Sequence, residues 1–273
     1  MDPIYWKSIL LGIVQGLTEF LPVSSTGHLV LTGKLLALEE VESSFTSLYH
    51  VVIQFSSILA VLIYFRRTLL PVGLFREKEV FQKTFLIWLK AGVGVVPALG
   101  IGFLLRNCVE EWQKNPFIVA ASLMLGGAVL LFIEDLFRKK TPDDSIETFS
   151  WKKVLGVGFF QCLALVPGVS RSASTIVGGL ALGASRRLAS EFSFFLAIPT
   201  MAAASSYSLL KHGTALTPRQ WTALGIGFTV SFFVSWAVIA WLMDFIKRRS
   251  FKVFGVYRIL LGLAVFAYFL FVR

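Results

Sequence analysis

Two short polar stretches carry the chemistry that this sequence could perform. The first holds Gln15, Glu19, Ser24, Ser25, Thr26 and His28, and the second holds Ser170, Arg171, Ser172, Ser174 and Thr175. Gln15 and Glu19 are spaced i, i+4, so on a helix they share one face and could hold a metal ion or a hydrogen-bonded water. A single carboxylate makes a weak cation site, and a Mg²⁺ or Ca²⁺ ion there would need phosphate oxygens from a substrate to complete its shell. Ser24, Ser25 and Thr26 follow Pro22 and open a new helical arm, where free backbone N–H groups and the helix dipole favour an anion. Hydroxyls at such positions also serve as plain helix caps. His28 lies three residues after Ser25, within reach as base or acid. In the second stretch Pro167-Gly168 turns the chain and Arg171 offers a planar, permanently charged fork to phosphate oxygens. Two helix N-termini, one guanidinium, one carboxylate, one imidazole and several hydroxyls suit a phosphate group and suit a neutral solute poorly.

These residues sit in an apolar chain. Of 273 residues 56% are hydrophobic and 15% charged, with a mean hydropathy of +0.74, where a soluble domain carries about 25% charged residues. That excludes a water-soluble monomer. A bilayer core about 30 Å thick needs about 20 apolar residues in a helix, and eight hydrophobic segments follow: 8–33, 48–65, 84–105, 116–137, 153–184, 191–210, 220–246 and 253–272. The first segment follows only Lys7 and contains Gln15, Glu19 and His28, a poor signal peptide that is expected to stay in the mature protein. Cys108 and Cys162 read as two free thiols.

Pro22 and Pro167 each break a segment at membrane depth, because proline removes a backbone donor and clashes with the preceding turn. Each broken segment reads as a re-entrant hairpin. The two breaks lie 145 residues apart with similar flanking text, Leu11-Gly12-Ile13-Val14 against Leu155-Gly156-Val157-Gly158, and the alignment sets Ser25 opposite Ser170. Three uninterrupted segments follow each break, so the chain reads as a duplication with halves 1–140 and 150–273 inside one integral membrane domain, 1–273. Three spans per half is odd, which inverts the second half relative to the first. The expected fold is therefore an all-α polytopic membrane protein: an inverted-topology repeat with six full transmembrane helices plus two re-entrant helical hairpins.

Charge orients it. The net charge of +10 is read as topological, not as nucleic-acid binding, because the basic residues occupy short loops. With the 66–83 loop inside, 16 basic residues fall on the cytoplasmic side and 7 on the other, while Lys90, Arg171 and Arg258 lie within segments. Both termini are then expected to be extracytoplasmic, with the hairpins entering from opposite faces and meeting inside the bilayer. A buried charge costs roughly 2.5–3.5 kcal/mol on insertion scales, which makes Glu19, His28 and Arg171 functional candidates. Glu191, His50 and His212 read as interfacial.

The stretches Gln15-Gly-Leu-Thr-Glu19-Phe-Leu-Pro-Val-Ser-Ser-Thr-Gly-His28 and Pro167-Gly-Val-Ser-Arg-Ser-Ala-Ser-Thr175 resemble the two signature motifs of the bacterial undecaprenyl-pyrophosphate phosphatases, the bacitracin-resistance phosphatases. The likeness runs through the whole chain in length, segment order and spacing. It implies an enzyme of the bacterial inner membrane that hydrolyses undecaprenyl pyrophosphate to undecaprenyl phosphate and inorganic phosphate, recycling the lipid carrier of peptidoglycan synthesis. It also implies a divalent metal, Mg²⁺ or Ca²⁺, and an active site facing the extracytoplasmic side. Matched by position, the family's catalytic residues fall on Glu19, Ser25, His28 and Arg171, with Ser24, Thr26, Ser170, Ser172 and Thr175 lining the phosphates and Glu19 and Gln15 on the metal. The first acidic position of the motif is Glu in some members and Gln15 here. The working mechanism has Ser25 attack phosphorus while His28 takes its proton; a phosphohistidine on His28 and direct attack by water stay open. The partners expected are a polyprenyl pyrophosphate lipid and the bilayer, with a homodimer an open option. The rival class is a lipid transporter or flippase, since inverted repeats with broken helices are also a transporter pattern.

Overall fold

A computed structural model describes residues 2–35, 43–70, 78–113, 115–137, 142–212 and 216–271. The described residues form helices and turns, with one isolated bridge between Asp143 and Ala184. In chain order the helices are α1 (Pro3–Thr18), α2 (Ser25–Leu35), α3 (Ser43–Tyr64), α4 (Arg66–Leu69), α5 (Lys78–Gln113), α6 (Pro116–Leu136), α7 (Trp151–Cys162), α8 (Arg171–Ala181), α9 (Arg186–His212), α10 (Pro218–Arg248) and α11 (Lys252–Phe271), with a 3-10 turn at Leu163–Leu165. Sequence capping explains several starts. Asn115 accepts from the Phe117 amide ahead of Pro116, and Thr217 and Gln220 form a reciprocal capping box ahead of Pro218.

Among the described residues five helices are long and apolar enough to cross a membrane: Glu79–Val109, Pro116–Leu136, Arg186–Ser206, Pro218–Arg248 and Lys252–Phe271. Within α3 the apolar stretch is the shorter Leu48–Tyr64. Their outer faces carry large apolar side chains in the open, among them Phe103, Leu104, Phe132 and Phe271. Such a surface would aggregate in water and is at rest in lipid. The chain is thus an all-helical, multi-pass membrane protein.

The breaks at Pro22 and Pro167 divide short helices. At 1.5 Å per residue α1 is about 24 Å long and α2, α7 and α8 are each under about 20 Å, less than the hydrocarbon core. Packing partners repeat between the halves. α1 lies on α2 and α10 as α7 lies on α8 and α5, while α3 faces α9 and α6 faces α11. Phe20, at the first break, is fully buried and meets the Phe194 ring of α9 edge-on at 5.1 Å.

Basic loops gather at one end. The 142–150 linker pairs with the α8–α9 turn through Asp143 and Ser185, Arg186 is ion-paired with Glu134 at the end of α6, and Glu134 also accepts from the Phe251 amide between α10 and α11. Lys90 reaches from α5 to the carbonyls of Ile146 and Phe149 at 2.6 and 2.7 Å, which satisfies its ammonium and pins the linker. At the opposite end Asp2 is ion-paired with Arg219. The Arg219 hydrogen bond and that of the Ile4 amide hold the Asp2 carboxyl below its ordinary range. Arg76, Lys114, Arg138, Lys139, Lys140 and Arg273, used in the charge count, lie outside the described residues, as do the side chains of Lys34, Lys78, Lys211 and His212. Glu191 pairs with Arg187 one turn away at 2.8 Å, His50 is half-buried against Tyr49, and both cysteines are free.

Candidate active site

The two broken helices meet. α2 and α8 begin in the same unusual way: the residues that cap them, Ser24 and Ser170, have φ of 72° and 74°, a region that favours glycine. Each serine Oγ accepts from the amide three residues on, Gly27 at 3.3 Å and Ala173 at 3.2 Å. This corrects the alignment read from sequence. Ser170 corresponds to Ser24, not to Ser25, because Gly168 adds one residue to the second turn, at φ +91°. A Cβ at Gly168 would also stand 2.6 Å from the Val119 carbonyl oxygen. The first helical residues, Ser25 and Arg171, are therefore equivalent in the two halves.

Both address Glu19. The Ser25 hydroxyl donates to Glu19 Oε2 at 2.9 Å, and Arg171 Nη2 donates to Glu19 Oε1 at 3.2 Å. Arg171 Nη1 is fixed on the Ser193 carbonyl at 2.9 Å, while its buried Nε has no partner. Gln15, one turn before Glu19, donates its amide to Oε2 at 2.8 Å. Glu19 is buried at 6% exposure, and a carboxylate there is tolerable because three donors converge on it, one of them the oppositely charged Arg171.

Around this cluster lies a cavity of about 280 Å³ lined by Glu19, Ser24, Ser25, Thr26, Ser170, Arg171, Gln54 and Gln113, with an apolar wall of Val109, Ala164, Leu165, Val166 and Met201. Its volume suits a phosphorylated headgroup and leaves no room for a long acyl or prenyl chain. Of the nine residues expected to bind or react with phosphate, Glu19, Ser24, Ser25, Thr26, Ser170 and Arg171 line it.

The other three do different work. The Ser172 hydroxyl donates across to the Leu21 carbonyl at 2.9 Å, tying one break to the other, and Thr175 is buried, donating to Ser193 Oγ at 2.6 Å. His28 does not line the cavity and engages other groups. Its Nδ1 meets the Ser24 carbonyl at 2.7 Å and its Nε2 meets the Tyr257 hydroxyl at 2.6 Å, with the two rings stacked at 5.6 Å. A carbonyl can only accept, so Nδ1 carries a proton and a neutral ring accepts from Tyr257 at Nε2. The expected Ser25–His28 proton relay is not the geometry present: the serine hydroxyl is committed to Glu19. Sequence reasoning missed Gln54, Gln113, Ser193 and Tyr257, which lie on other helices and carry no motif.

Among the described residues no group of three His, Cys, Asp or Glu converges, so protein ligands alone do not complete a metal shell. Gln15 Oε1 is buried without a partner beside Glu19. An amide oxygen and a carboxylate fit a Mg²⁺ or Ca²⁺ ion that draws its remaining oxygens from a bound phosphate.

The sequence profile of the bacitracin resistance protein BacA family matches residues 8–264. The chain is 46% identical over 265 residues to undecaprenyl-diphosphatase 1 of Clostridioides difficile, covering 97% of this chain and 96% of the relative. It is 43% identical over 261 residues to the undecaprenyl-diphosphatase of Fusobacterium nucleatum, covering 94% and 97%, and 41% identical over 268 residues to that of Aquifex aeolicus, covering 97% and 99%.

Proposed function

The chain belongs to the bacitracin resistance protein BacA family, and from that premise we propose how its own residues carry the reaction. It is a membrane phosphatase that hydrolyses undecaprenyl pyrophosphate to undecaprenyl phosphate and inorganic phosphate, the recycling step for the lipid carrier of peptidoglycan synthesis. One observation carries the mechanism: Ser25 and Arg171, from opposite halves, meet on the two oxygens of Glu19 at the edge of a headgroup-sized cavity.

Ser25 Oγ attacks the terminal phosphorus and its proton passes to Glu19 Oε2, already its hydrogen-bond acceptor. The new O–P bond forms as the anhydride bond breaks, and the departing prenyl phosphate keeps the electron pair. Arg171 carries the charge that develops on the equatorial oxygens; its unpaired Nε–H is a donor in reserve. Water then attacks the phosphoserine, both its protons leaving with inorganic phosphate while the serine oxygen regains its own from Glu19. A divalent ion held by Glu19 and Gln15 Oε1 would neutralise phosphate charge. His28 orients α2 through Tyr257.

The six-span inverted repeat with two re-entrant hairpins is the reading of the fold that this mechanism needs. The short α1, α2, α7 and α8 and the exchange of packing partners between halves support it. The clustering of basic loops at the end bearing the 142–150 linker favours that end as cytoplasmic, with both termini and the substrate's approach on the other side. The prenyl chain stays in lipid, where each buried CH₂ contributes about 0.8 kcal/mol, and leaves the cavity past its apolar wall.

The test is phosphate release from a prenyl pyrophosphate by purified protein in detergent. Wild type releases phosphate and Ser25→Ala is slowed at least about 10³-fold with metal supplied; wild-type turnover by Ser25→Ala would sink the serine nucleophile. A transporter would release none at all.

A further inference from the structure

Among the described residues the largest fully buried side chain belongs to a cation that the catalytic cluster does not contain. Arg258, on α11, has 0% exposure and, among the described residues, no carboxylate partner. Its guanidinium instead donates to main-chain carbonyls on three sides. Nη1 reaches Pro22 at 3.2 Å and Val169 at 2.9 Å, Nη2 reaches Gly168 at 3.0 Å and Ser122 at 3.2 Å, and Nε reaches Leu123 at 3.4 Å. Pro22 is the break of the first half, and Gly168 and Val169 belong to the break of the second. One rigid planar group is thus bonded to both turns without itself lining the cavity.

Broken helices leave carbonyls without amide partners, and in lipid each unsatisfied one costs free energy. Water would satisfy them loosely; a guanidinium with five N–H donors in a fixed plane satisfies them at set distances. The neighbouring helix is shaped to admit it. A Cβ at Gly126 on α6 would stand 2.2 Å from Arg258 Nη2 and 2.9 Å from Cζ, so any larger residue there displaces the fork from Gly168 and Ser122.

We propose that Arg258 is a positioning residue for hydrolysis: it locks the two hairpin turns in register so that Ser25 and Arg171 bear on one phosphate. The proposal rests on the reading of the cavity as the active site. It follows that loosening the clamp misplaces reacting groups by up to about 1 Å, which costs rate more than affinity, since the tail retains the substrate; misplacement of about 1 Å can lower a rate 10²-fold.

Two variants of the full-length protein test it. Arg258→Lys keeps the charge and removes the fork, and Gly126→Ala keeps the arginine and pushes on Nη2. Both are assayed at a temperature where circular dichroism shows wild-type helical content. Expected is a kcat lowered about 10²-fold for Arg258→Lys and about tenfold for Gly126→Ala, with KM within about threefold of wild type. Independently of activity, spin labels at Thr26→Cys and Leu163→Cys, in a Cys108→Ser, Cys162→Ser background, should give a narrow distance distribution that broadens in Arg258→Lys. Wild-type kcat in both folded variants, or unchanged label distances, overturns the proposal. So does activity lost only in proportion to unfolded protein. If Arg258→Lys does not fold, Gly126→Ala decides both readouts. A wild type that released no phosphate would refute the functional reading instead, and the label distances would still report on the clamp.

Discussion

Ser24 and Ser170 occupy the same position in the two halves, each with positive φ, each capping the helix that follows through its own Oγ. The pairing places the Ser25 hydroxyl and the Arg171 guanidinium at matching first turns, the two groups that the proposed mechanism uses as attacking group and anion clamp. Ser174 takes the place in α8 that His28 takes in α2, and its hydroxyl simply returns to the Ser170 carbonyl at 2.9 Å.

That cap geometry sets two opposing terms. A non-glycine residue at such a φ costs about 1–3 kcal/mol, and an N-cap hydroxyl contributes about 1 kcal/mol. Ser170→Gly should therefore unfold at or above the temperature of wild type and clearly above Ser170→Ala, which loses the cap and keeps the strain. Thermal unfolding of the three proteins in one detergent checks the order; Ser170→Ala matching or exceeding Ser170→Gly would contradict it.

The role of His28 separates mechanisms. If it orients α2 through Tyr257, then His28→Gln and Tyr257→Phe should each lower kcat less than about tenfold and should not add when combined, because both remove one contact. A phosphohistidine route requires instead that His28→Gln abolish turnover while Tyr257→Phe leaves it intact. Steady-state kinetics of the two single variants and the double variant decide.

Much of this arrangement was legible in the sequence. Pro22 and Pro167 announce backbone breaks inside apolar runs, and an intramembrane carboxylate and guanidinium near them must find each other or pay heavily. What pairwise spacing does not reveal is which side of a helix a hydroxyl faces. Spacing along α2 puts His28 within reach of Ser25, whereas the acceptor its hydroxyl meets, Glu19, lies across the break. The one-residue offset between halves comes from Gly168, whose insertion no short alignment weighs. Arg258 and Tyr257 lie more than two hundred residues from Pro22 and His28, and only tertiary packing of α11 on α6 brings them in.

Metal dependence should follow the oxygen count. On the proposed metal site, one carboxylate and one amide oxygen leave the substrate to complete the ion's shell, so chelation should stop turnover and Mg²⁺ or Ca²⁺ should restore it. Gln15→Glu adds a second carboxylate at the buried, unpartnered Oε1 and removes the amide donor to Glu19. Its half-saturating metal concentration should fall about tenfold, in line with added ligand charge. Metal-buffered titrations of both proteins read this directly, and an unchanged or weaker metal response would place the ion elsewhere.

The apolar wall predicts how chain length is felt. On the proposed reading a cavity of about 280 Å³ takes the diphosphate and the first carbons at most, so the rest of the prenyl chain leaves between Val109 on α5 and Leu165 on the 3-10 turn, where a Cβ added at Gly102 of α5 would stand 3.2 Å from Leu165. Val109→Trp narrows that gap without touching Glu19, Ser25 or Arg171. It should raise KM for a long prenyl pyrophosphate about tenfold or more while changing kcat little, because the lost contact is made equally in ground and transition states. Inorganic pyrophosphate, which has no tail, should inhibit both proteins with the same constant. Equal loss of affinity for pyrophosphate and for the prenyl substrate would mean that tryptophan had closed the headgroup cavity itself and that the chain leaves by another face.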